Sequence, residues 1–512
     1  MIYLILILVF TNNFLLLKYN LHIFQLNYYM PDTQLKWLFK NINKFILILI
    51  INLFQIYLII LNQSFSLIIC LILLLINIYL AHEKNVIKKI VYTGRIKRIY
   101  LTNYLFFIII YIIKKDLNIL LIITLLTSSI STIYMIILNY INRPVNELIN
   151  LYYINDAKKI LKKMPNLKVI AITGSYGKTS TKNYLEALLS QKYNTLITPG
   201  NFNTRLGITR TIREHLLPTH EIFICEIGID RVGQIEKTIK LINPDYAVIT
   251  AIGHQHLETF KSIDNIINSK MKLTISLKEG GISFLNLDND YINNFSFNKK
   301  EVIGYGLTNN INNNLKLNNI KYSKEGLNFK ITKDKKIYEV NSKLLGEHNL
   351  INLYGAITIA DYFNVPMKHI INNVKKIKNP KHRLNLLPGD KISIIDDSYN
   401  SNPVGAKNAL KVLKEMDGLR ILITPGMVEL GIKEDEENYE FGLLATKVAD
   451  YIYLINEKQT KTIYKAIKEN KYDLSKVKIY NKFDSAMEDA KKIKTTKHKY
   501  ILIENDLPDN FK

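Results

Sequence analysis

The run Val169-Ile-Ala-Ile-Thr-Gly-Ser-Tyr-Gly-Lys-Thr-Ser-Thr181 restricts this chain more than any other stretch. Its four leading apolar residues read as a buried strand. A turn from Gly174 to Gly177 follows, then Lys178, Thr179, Ser180 and a helix-forming run from Thr181 to Leu189. A strand, a glycine turn bearing lysine and threonine, and a helix start together make a phosphate cradle. Turn amides and the helix N-terminus face the anion, Lys178 adds a point charge, and Thr179 can ligate Mg²⁺. The common phosphate loop has a glycine five residues before Gly177, where Ile172 stands.

At 512 residues the chain has room for about three domains of ~150 residues each. A net charge of +24 invites a nucleic-acid partner, but the basic residues are spread out, mostly lysine, with no long arginine-rich block. With abundant Ile and Asn this reads as compositional bias, and no nucleic-acid partner is expected. The two cysteines, Cys70 and Cys225, are too few for a disulfide framework or a metal cluster, and both lie in apolar runs that suit buried thiols.

The first ~140 residues differ from the rest. Apolar runs occur at Met1–Leu17, Phe45–Leu61, Ser66–Ala81, Leu101–Ile113 and Ile119–Leu138. A spanning helix takes ~17–25 residues, so about five spans are expected, the fourth needing Ile99 and Tyr100 to reach length. The first run lacks a basic start and a small-residue exit, which favours a retained anchor over a signal peptide. The loop Glu83–Arg98 holds Lys84, Lys88, Lys89, Arg95, Lys97 and Arg98 and is placed in the cytoplasm by the positive-inside rule. The junction at Asn62-Gln63 is short and uncharged. Five spans then put everything after Arg143 inside, where ATP is available, with Lys114-Lys115 on the outer side.

Arg143-Pro144 ends this region, and a helix from Val145 to Lys163 leads out of it. Beyond Leu167, apolar strands alternate with helical stretches, the strands falling at Val169–Ile172, Ile222–Glu226 and Tyr246–Ala251. That is an α/β pattern with a mostly parallel sheet. From Gly281 to Leu345 an Asn- and Lys-rich texture, with strands at Leu327–Ile331 and Lys336–Val340, reads as an antiparallel elaboration. A second α/β unit begins near Leu384, with strands at Ile392–Ile395, Arg420–Ile423, Tyr451–Ile455 and Tyr500–Ile503.

Two further groups stand at strand ends. Glu226 closes the second strand, where a carboxylate beside a phosphate loop holds Mg²⁺. His254, His256 and Glu258 follow the next strand, three metal-capable groups over the same sheet edge, and Lys270 lies on the helix after them.

These residues resemble the Mur ligase family. The shortened cradle Thr-Gly-Ser-Tyr-Gly-Lys-Thr-Ser carries the resemblance first. Gly200-Asn-Phe-Asn-Thr-Arg-Leu-Gly207, Glu226-Ile-Gly, His256-Leu-Glu-Thr-Phe, Gly346-Glu-His-Asn349-Leu-Ile-Asn352 and His382-Arg383 follow in family order. Asp396-Asp397-Ser-Tyr-Asn-Ser-Asn-Pro403 and Gly426-Met-Val-Glu-Leu-Gly431 complete it. The last two are most like the member that adds D-Ala-D-Ala to a UDP-muramoyl-tripeptide.

With the apolar runs, which give a transmembrane helical region at 1–143, the resemblance implies an α/β fold with a central ATP-binding domain at 144–383 and a Rossmann-like C-terminal domain at 384–512. The apolar runs and their basic loop add that the enzyme is membrane-held with cytoplasmic catalytic domains, in contact with membrane lipid. ATP and Mg²⁺ would phosphorylate a carboxylate of a muramoyl peptide, and D-Ala-D-Ala or another amine would displace the phosphate. Gly174, Ser175, Gly177, Lys178, Thr179 and Ser180 would hold the phosphates. Mg²⁺ would sit on Thr179 and Glu226, and a second metal near His256 and Lys270. Lys270 stands where the family carries a carbamylated lysine. Arg383 would meet the phosphates, Asp397 the ribose, and His348, Asn349 and Asn352 the adenine side. The catalytic set is then Lys178, His256, Lys270 and Arg383.

The chain departs from the family pattern in four places. Membrane spans replace the small domain that holds the uridine diphosphate, which opens a lipid-linked substrate as an alternative. Thr424-Pro-Gly-Met stands for Gly-Asp-Met, Lys272 for an acid, and Glu504-Asn-Asp-Leu-Pro-Asp-Asn for a Lys-Gly-Ser-Arg-like end. A related amide ligase with another substrate and a membrane scaffold with an inactive ligase fold remain as alternatives. A transporter ATPase would need a standard phosphate loop or a transporter signature, and neither is in the sequence.

Overall fold

The computed structural model describes residues 2–27, 29–61, 66–81, 89–296, 301–308, 310–399, 402–428 and 430–505. It divides into two compact units, Met1–Tyr152 and Tyr153–Asp506. The first is helical. Helices Ile2–Leu26, Ile42–Ile60 and Gly94–Lys114 are long and apolar enough to cross a membrane, with mean hydropathies of 1.8, 2.0 and 1.6. The helix at Ser66–Ala81 has 16 residues and falls short of that length. The run Ile119–Leu138, expected as one span, is two helices, Leu117–Ser129 and Ser131–Ile141, bent by 98°. Hydroxyls cause the break: Ser128 and Ser129 donate to the carbonyls of Thr124 and Leu125 at 2.7 and 2.8 Å. Such back-bonding bends helices. Among the described residues three helices are therefore long and apolar enough to span, or four with the bent pair, against the five expected. The helices are joined by amide side chains, Asn13 to Ser128 at 2.9 Å and Asn103 to Asn13 at 3.2 Å. In an apolar surround such bonds fix helix pairing. The Asn62-Gln63 junction, Lys84 and Lys88 lie outside the described residues.

The second unit is built on fifteen strands: β1 Lys168–Thr173, β2 Thr195–Ile197, β3 Ile222–Glu226, β4 Tyr246–Ile249, β5 Ile282–Asn286, β6 Glu301–Tyr305, β7 Lys316–Ser323, β8 Gly326–Lys333, β9 Lys336–Ser342, β10 Asn385–Leu387, β11 Ile392–Asp397, β12 Leu419–Thr424, β13 Tyr451–Ile455, β14 Val477–Tyr480 and β15 Lys499–Glu504. The first sheet has the order β2-β3-β1-β4-β5-β6, and all its pairings are parallel. Its strands are apolar on both faces because both are covered. Ile170, Ile172, Ile224, Val248 and Phe284 pack with Leu350, Leu353 and Ile357 on one side. Val169, Ala171, Phe223, Cys225, Ala247 and Ile249 pack with Ile208, Ile235 and Met271 on the other. Both cysteines are free and buried, as the sequence suggested.

The texture change at Gly281 does not begin the antiparallel part. β5 and β6 extend the parallel sheet, and only β7, β8 and β9 form a separate antiparallel sheet. In that sheet Asn and Lys stand on the solvent side while Leu327, Phe329 and Ile331 alternate inward. The third sheet, β10-β11-β15-β12-β13-β14, is parallel except for the β10 edge.

β1 lies at the centre of the first sheet, and the chain crosses from β3 to β4 over it. Ligands bind beyond the carboxyl ends of strands at such a crossing. Replacing Ile224, fully buried at the middle of β3, by Ala removes packing on the face that carries the helix Lys178–Leu189. The expected loss is about 2–5 kcal/mol, seen as a lower thermal unfolding midpoint. Ile337→Ala, at a residue 65% exposed, is the control expected to leave the midpoint unchanged.

Candidate active site

The turn after β1 is pressed against the end of β4. A Cβ at Gly174 would lie 2.1 Å from Thr250 Oγ1, so only glycine fits. Ser175 N–H donates to Ala251 O at 2.6 Å, and Ser175 Oγ both donates to Gly253 O and accepts from Gly253 N–H at 3.0 Å. The Thr250 hydroxyl donates to Tyr176 O. Gly177 caps the next helix at φ +81°, and a Cβ there would meet Asn352 Oδ1 at 2.5 Å. A left-handed residue at this point frees the first amides of the helix to face an anion.

Lys178 folds back over the turn and donates to Gly174 O at 2.7 Å and Ser175 O at 3.1 Å. Burial lowers its ammonium to about 8, with Glu226 acting to hold it up and Arg383 adding to the fall. Thr179 Oγ1 donates to Glu226 Oε1 at 3.1 Å. Glu226 is 2% exposed. Burial alone would raise its carboxyl, but the charges of Lys182 and Lys178 and hydrogen bonds from Asn203 and Lys182 outweigh it and hold the group below its usual range. Lys270, also 2% exposed, reaches the same turn and donates to Gly174 O at 3.1 Å. Burial, then the Lys178 charge, push its amine well below the lysine range.

Thr179 and Glu226 offer two oxygens 3.1 Å apart beside the turn, a donor set that suits Mg²⁺. Among the described residues no three His, Cys, Asp or Glu side chains form a metal-binding group, so His254, His256 and Glu258 do not make one between them. His256 begins the helix Leu257–Phe260 in a left-handed conformation. His254 instead points at Glu437 Oε1, 3.9 Å away, and the Tyr291 hydroxyl.

The expected adenine-side residues divide. Asn349 is used by the protein, accepting from the Tyr184 hydroxyl at 3.0 Å and donating to Leu345 O at 2.8 Å. Asn352 abuts the phosphate turn at Gly177. His348 Nδ1 has no partner among the described residues, and burial followed by the Lys411 charge lowers this imidazole to about 4. Asp397 accepts from Leu384 N–H at 3.0 Å, while Asp396 holds His382 Nδ1 at 2.8 Å. The two acids thus fasten the chain where it enters the last sheet. Burial raises the Asp397 carboxyl to about 6, against the Leu384 N–H and Arg383. Arg383 lies over the Tyr399 ring at 4.4 Å. Lys272, where an acid was expected, pairs with Glu236. Asn400, Ser401, Glu429 and the end of the chain from Asp506 lie outside the described residues.

Sequence reading passed over Lys182 and Asn203. Lys182 lies one turn after Lys178 and is 1% exposed, which its spacing signals, since residues four apart share a helix face. Its ammonium is 3.0 Å from Glu226 Oε2. Asn203 donates to Glu226 Oε1 at 3.1 Å.

These features define an α/β protein with a glycine turn, lined by buried lysines, after the central strand of its first sheet. Residues 172–360 match the Mur ligase middle domain and residues 382–504 the Mur ligase, glutamate ligase domain, together more than half of the chain. The chain belongs to the Mur ligase family. It is 32% identical over 274 residues to the UDP-N-acetylmuramoyl-tripeptide–D-alanyl-D-alanine ligase of Buchnera aphidicola subsp. Baizongia pistaciae, covering 53% of this chain and 59% of that one. It is 31% identical over 290 residues to the ligase of the same name from Bacillus subtilis, covering 56% and 62%. The chain thus spans about six-tenths of the length of these curated relatives. In fold it is similar to the MurF ligase of Thermotoga maritima in complex with ADP, with a TM-score of 0.61 at 22% identity, over 70% of this chain and 80% of that one.

Gly177→Ala is expected to destabilise by about 1–2 kcal/mol through the left-handed backbone alone, plus the clash with Asn352. Adding Asn352→Ala should recover the clash and leave the backbone cost, read as a partial return of the thermal midpoint.

Proposed function

We propose that this chain is an ATP-dependent ligase of cell-wall precursor assembly that joins D-Ala-D-Ala to the carboxylate of a UDP-muramoyl-tripeptide. The observation that carries the reading is the Thr179–Glu226 oxygen pair beside a turn lined by Lys178. The names of the relatives supply the substrates, and the ADP of the Thermotoga maritima structure supplies the nucleotide class. In this reading the central domain runs over 144–383 and the C-terminal domain over 384–512.

The turn amides, Ser175, Ser180 and Lys178 hold the phosphates. Lys178 leaves its carbonyl partners to balance charge on the transferring group, since this chemistry needs positioning and charge neutralisation more than covalent help. Thr179 and Glu226 would hold Mg²⁺, which would supply further charge neutralisation to the phosphates. The substrate carboxylate oxygen takes the γ-phosphoryl group and ADP leaves. The amine nitrogen then adds to the acyl carbon, loses a proton to solvent, and phosphate departs as the amide forms. Arg383, near enough to lower Lys178, serves the same phosphates. Neutral His348 and Asn352 serve the adenine side, and Asp397 stands at the ribose. Lys270 fits a second metal only as a carbamate, because its ammonium repels a cation. Its lowered amine is the form that adds carbon dioxide, and His256 is the partner ligand of that reading.

The apolar helices favour a membrane-held form. With Arg95, Lys97 and Arg98 at the start of the helix Gly94–Lys114, that end of the span faces the cytoplasm, and lipid surrounds the helices. This gives a second reading its ground, in which the muramoyl peptide is lipid-linked.

The test is phosphate release from ATP by the full chain with UDP-muramoyl-tripeptide and D-Ala-D-Ala, beside other amines and a lipid-linked tripeptide. Release with the UDP-linked pair, lost in Lys178→Ala, is expected; release with no pair overturns the ligase reading. Release only with the lipid-linked peptide moves it to the second reading. The pH dependence of ADP binding gives an independent check. Phosphate favours the Lys178 ammonium, which is present below about 8 and lost above it. ADP affinity should therefore be flat below that pH and fall by up to about ten-fold per unit above it, an effect absent in Lys178→Ala.

A further inference from the structure

Lys182 is buried as deeply as any core leucine, yet it carries a charge and spends it on three acceptors. Its ammonium lies 3.0 Å from Glu226 Oε2 and donates to Thr198 O at 2.8 Å and Gly200 O at 2.9 Å. Two protons of the lysine ammonium are thereby used on carbonyls, and its charge faces the carboxylate. The loop it grips leads directly to Asn203, whose amide reaches the other carboxylate oxygen at 3.1 Å. Asn203 O in turn accepts from Gly228 N–H at 2.9 Å, and the Thr198 hydroxyl accepts from Glu226 N–H at 3.1 Å. The loop from residue 198 to residue 203 and the end of β3 are therefore one hydrogen-bonded piece, with Lys182 as its cross-brace.

The two oxygens of Glu226 have different surroundings. Oε2 is held by the ammonium, whereas Oε1 faces Thr179 Oγ1 at 3.1 Å. A buried ion pair is weak evidence of stabilisation, because a well-packed apolar pair in its place is often no less stable. An apolar residue at 182, however, leaves the carboxylate free to turn. Partners of this kind orient metal ligands and govern affinity without touching the metal.

We propose that Lys182 is a positioning residue that clamps Glu226 Oε2, so that Oε1 alone is presented, with Thr179, to the Mg²⁺ accompanying the nucleotide. This rests on the nucleotide reading above. Lys182 contributes no contact to the phosphates. Its effect is on how much Mg²⁺ the site needs and not on the nucleotide itself.

The experiment is calorimetric titration of ADP into the full chain, in EDTA and over a series of Mg²⁺ concentrations, for wild type, Lys182→Met, Glu226→Gln and the double variant. In Lys182→Met the Mg²⁺ concentration giving half of the Mg²⁺-dependent gain in ADP affinity should rise about ten-fold or more, with ADP binding in EDTA unchanged within about two-fold. An unshifted Mg²⁺ requirement in a folded Lys182→Met, or an equal loss of ADP binding in EDTA, overturns the proposal. Where Lys182→Met does not fold, the comparison is Glu226→Gln with the double variant, which buries no unpaired charge. With the carboxylate gone, loss of Lys182 should cost no further Mg²⁺ dependence, and a further ten-fold loss overturns the proposal. Wild type that binds no Mg–ADP overturns the nucleotide reading itself, a result distinct from an unshifted Lys182→Met.

Discussion

The contact between the phosphate turn and the end of β4 is the constraint on which the site depends. Gly174 lies where any Cβ would strike Thr250, and Ser175 is bonded through both backbone and side chain to residues 251 and 253. The turn is therefore not a free loop between a strand and a helix. It is shaped on one side by β4 and on the other by Asn352 against Gly177. With the turn fixed, the side chains of Lys178 and Lys270 converge on the same carbonyl, that of Gly174, from different elements. Close packing of this kind holds charged groups at short range without a ligand to collect them.

Much of this was legible in the sequence where the physics is local. The strand, the glycine turn and the helix start of 169–181 follow one another without interruption, so the cradle needs no tertiary information. Glu226 could be read because a carboxylate at the end of an apolar strand has few other uses. Lys182 could not be, because its meaning depends on which carboxylate and which carbonyls a helix face meets, and the carbonyls lie 16 and 18 residues away with the carboxylate farther still. The same limit explains Asn349. Its place in a motif resembled a ligand site, while the bonds of its amide to Tyr184 and Leu345 depend on partners the motif does not contain.

The helical unit shows the corresponding limit of hydropathy. Composition finds Ile119–Leu138 as one apolar run because Thr and Ser scarcely lower its average. Geometry divides it, since the same hydroxyls bond back onto the helix and the chain bends by 98°. The Ser66–Ala81 helix is apolar save for Ser66 and Asn77, and its 16 residues are still short for a span. Hydropathy counts what a segment dislikes in water, whereas a span also requires an unbroken ladder of hydrogen bonds. The Asn side chains that join these helices likewise carry no apolar signal, although they decide which helices pair.

Charge balance gives the site its direction. Lys182 and Lys178 act on Glu226, and Lys270 reaches the same turn at Gly174, three amines to one carboxylate in a region largely closed to water. Burial cannot leave that excess unanswered, and two of the amines respond by a lowered affinity for protons. Only Lys182, with a carboxylate and two carbonyls around it, is fully satisfied. The remaining pair is electrically incomplete in the free protein, an arrangement that favours an anionic ligand. A site poised in this way binds a polyanion more strongly than its hydrogen bonds alone provide, because binding also removes the cost of keeping buried amines apart. The single carboxylate is then better understood as a reference charge for an incoming anion than as its competitor.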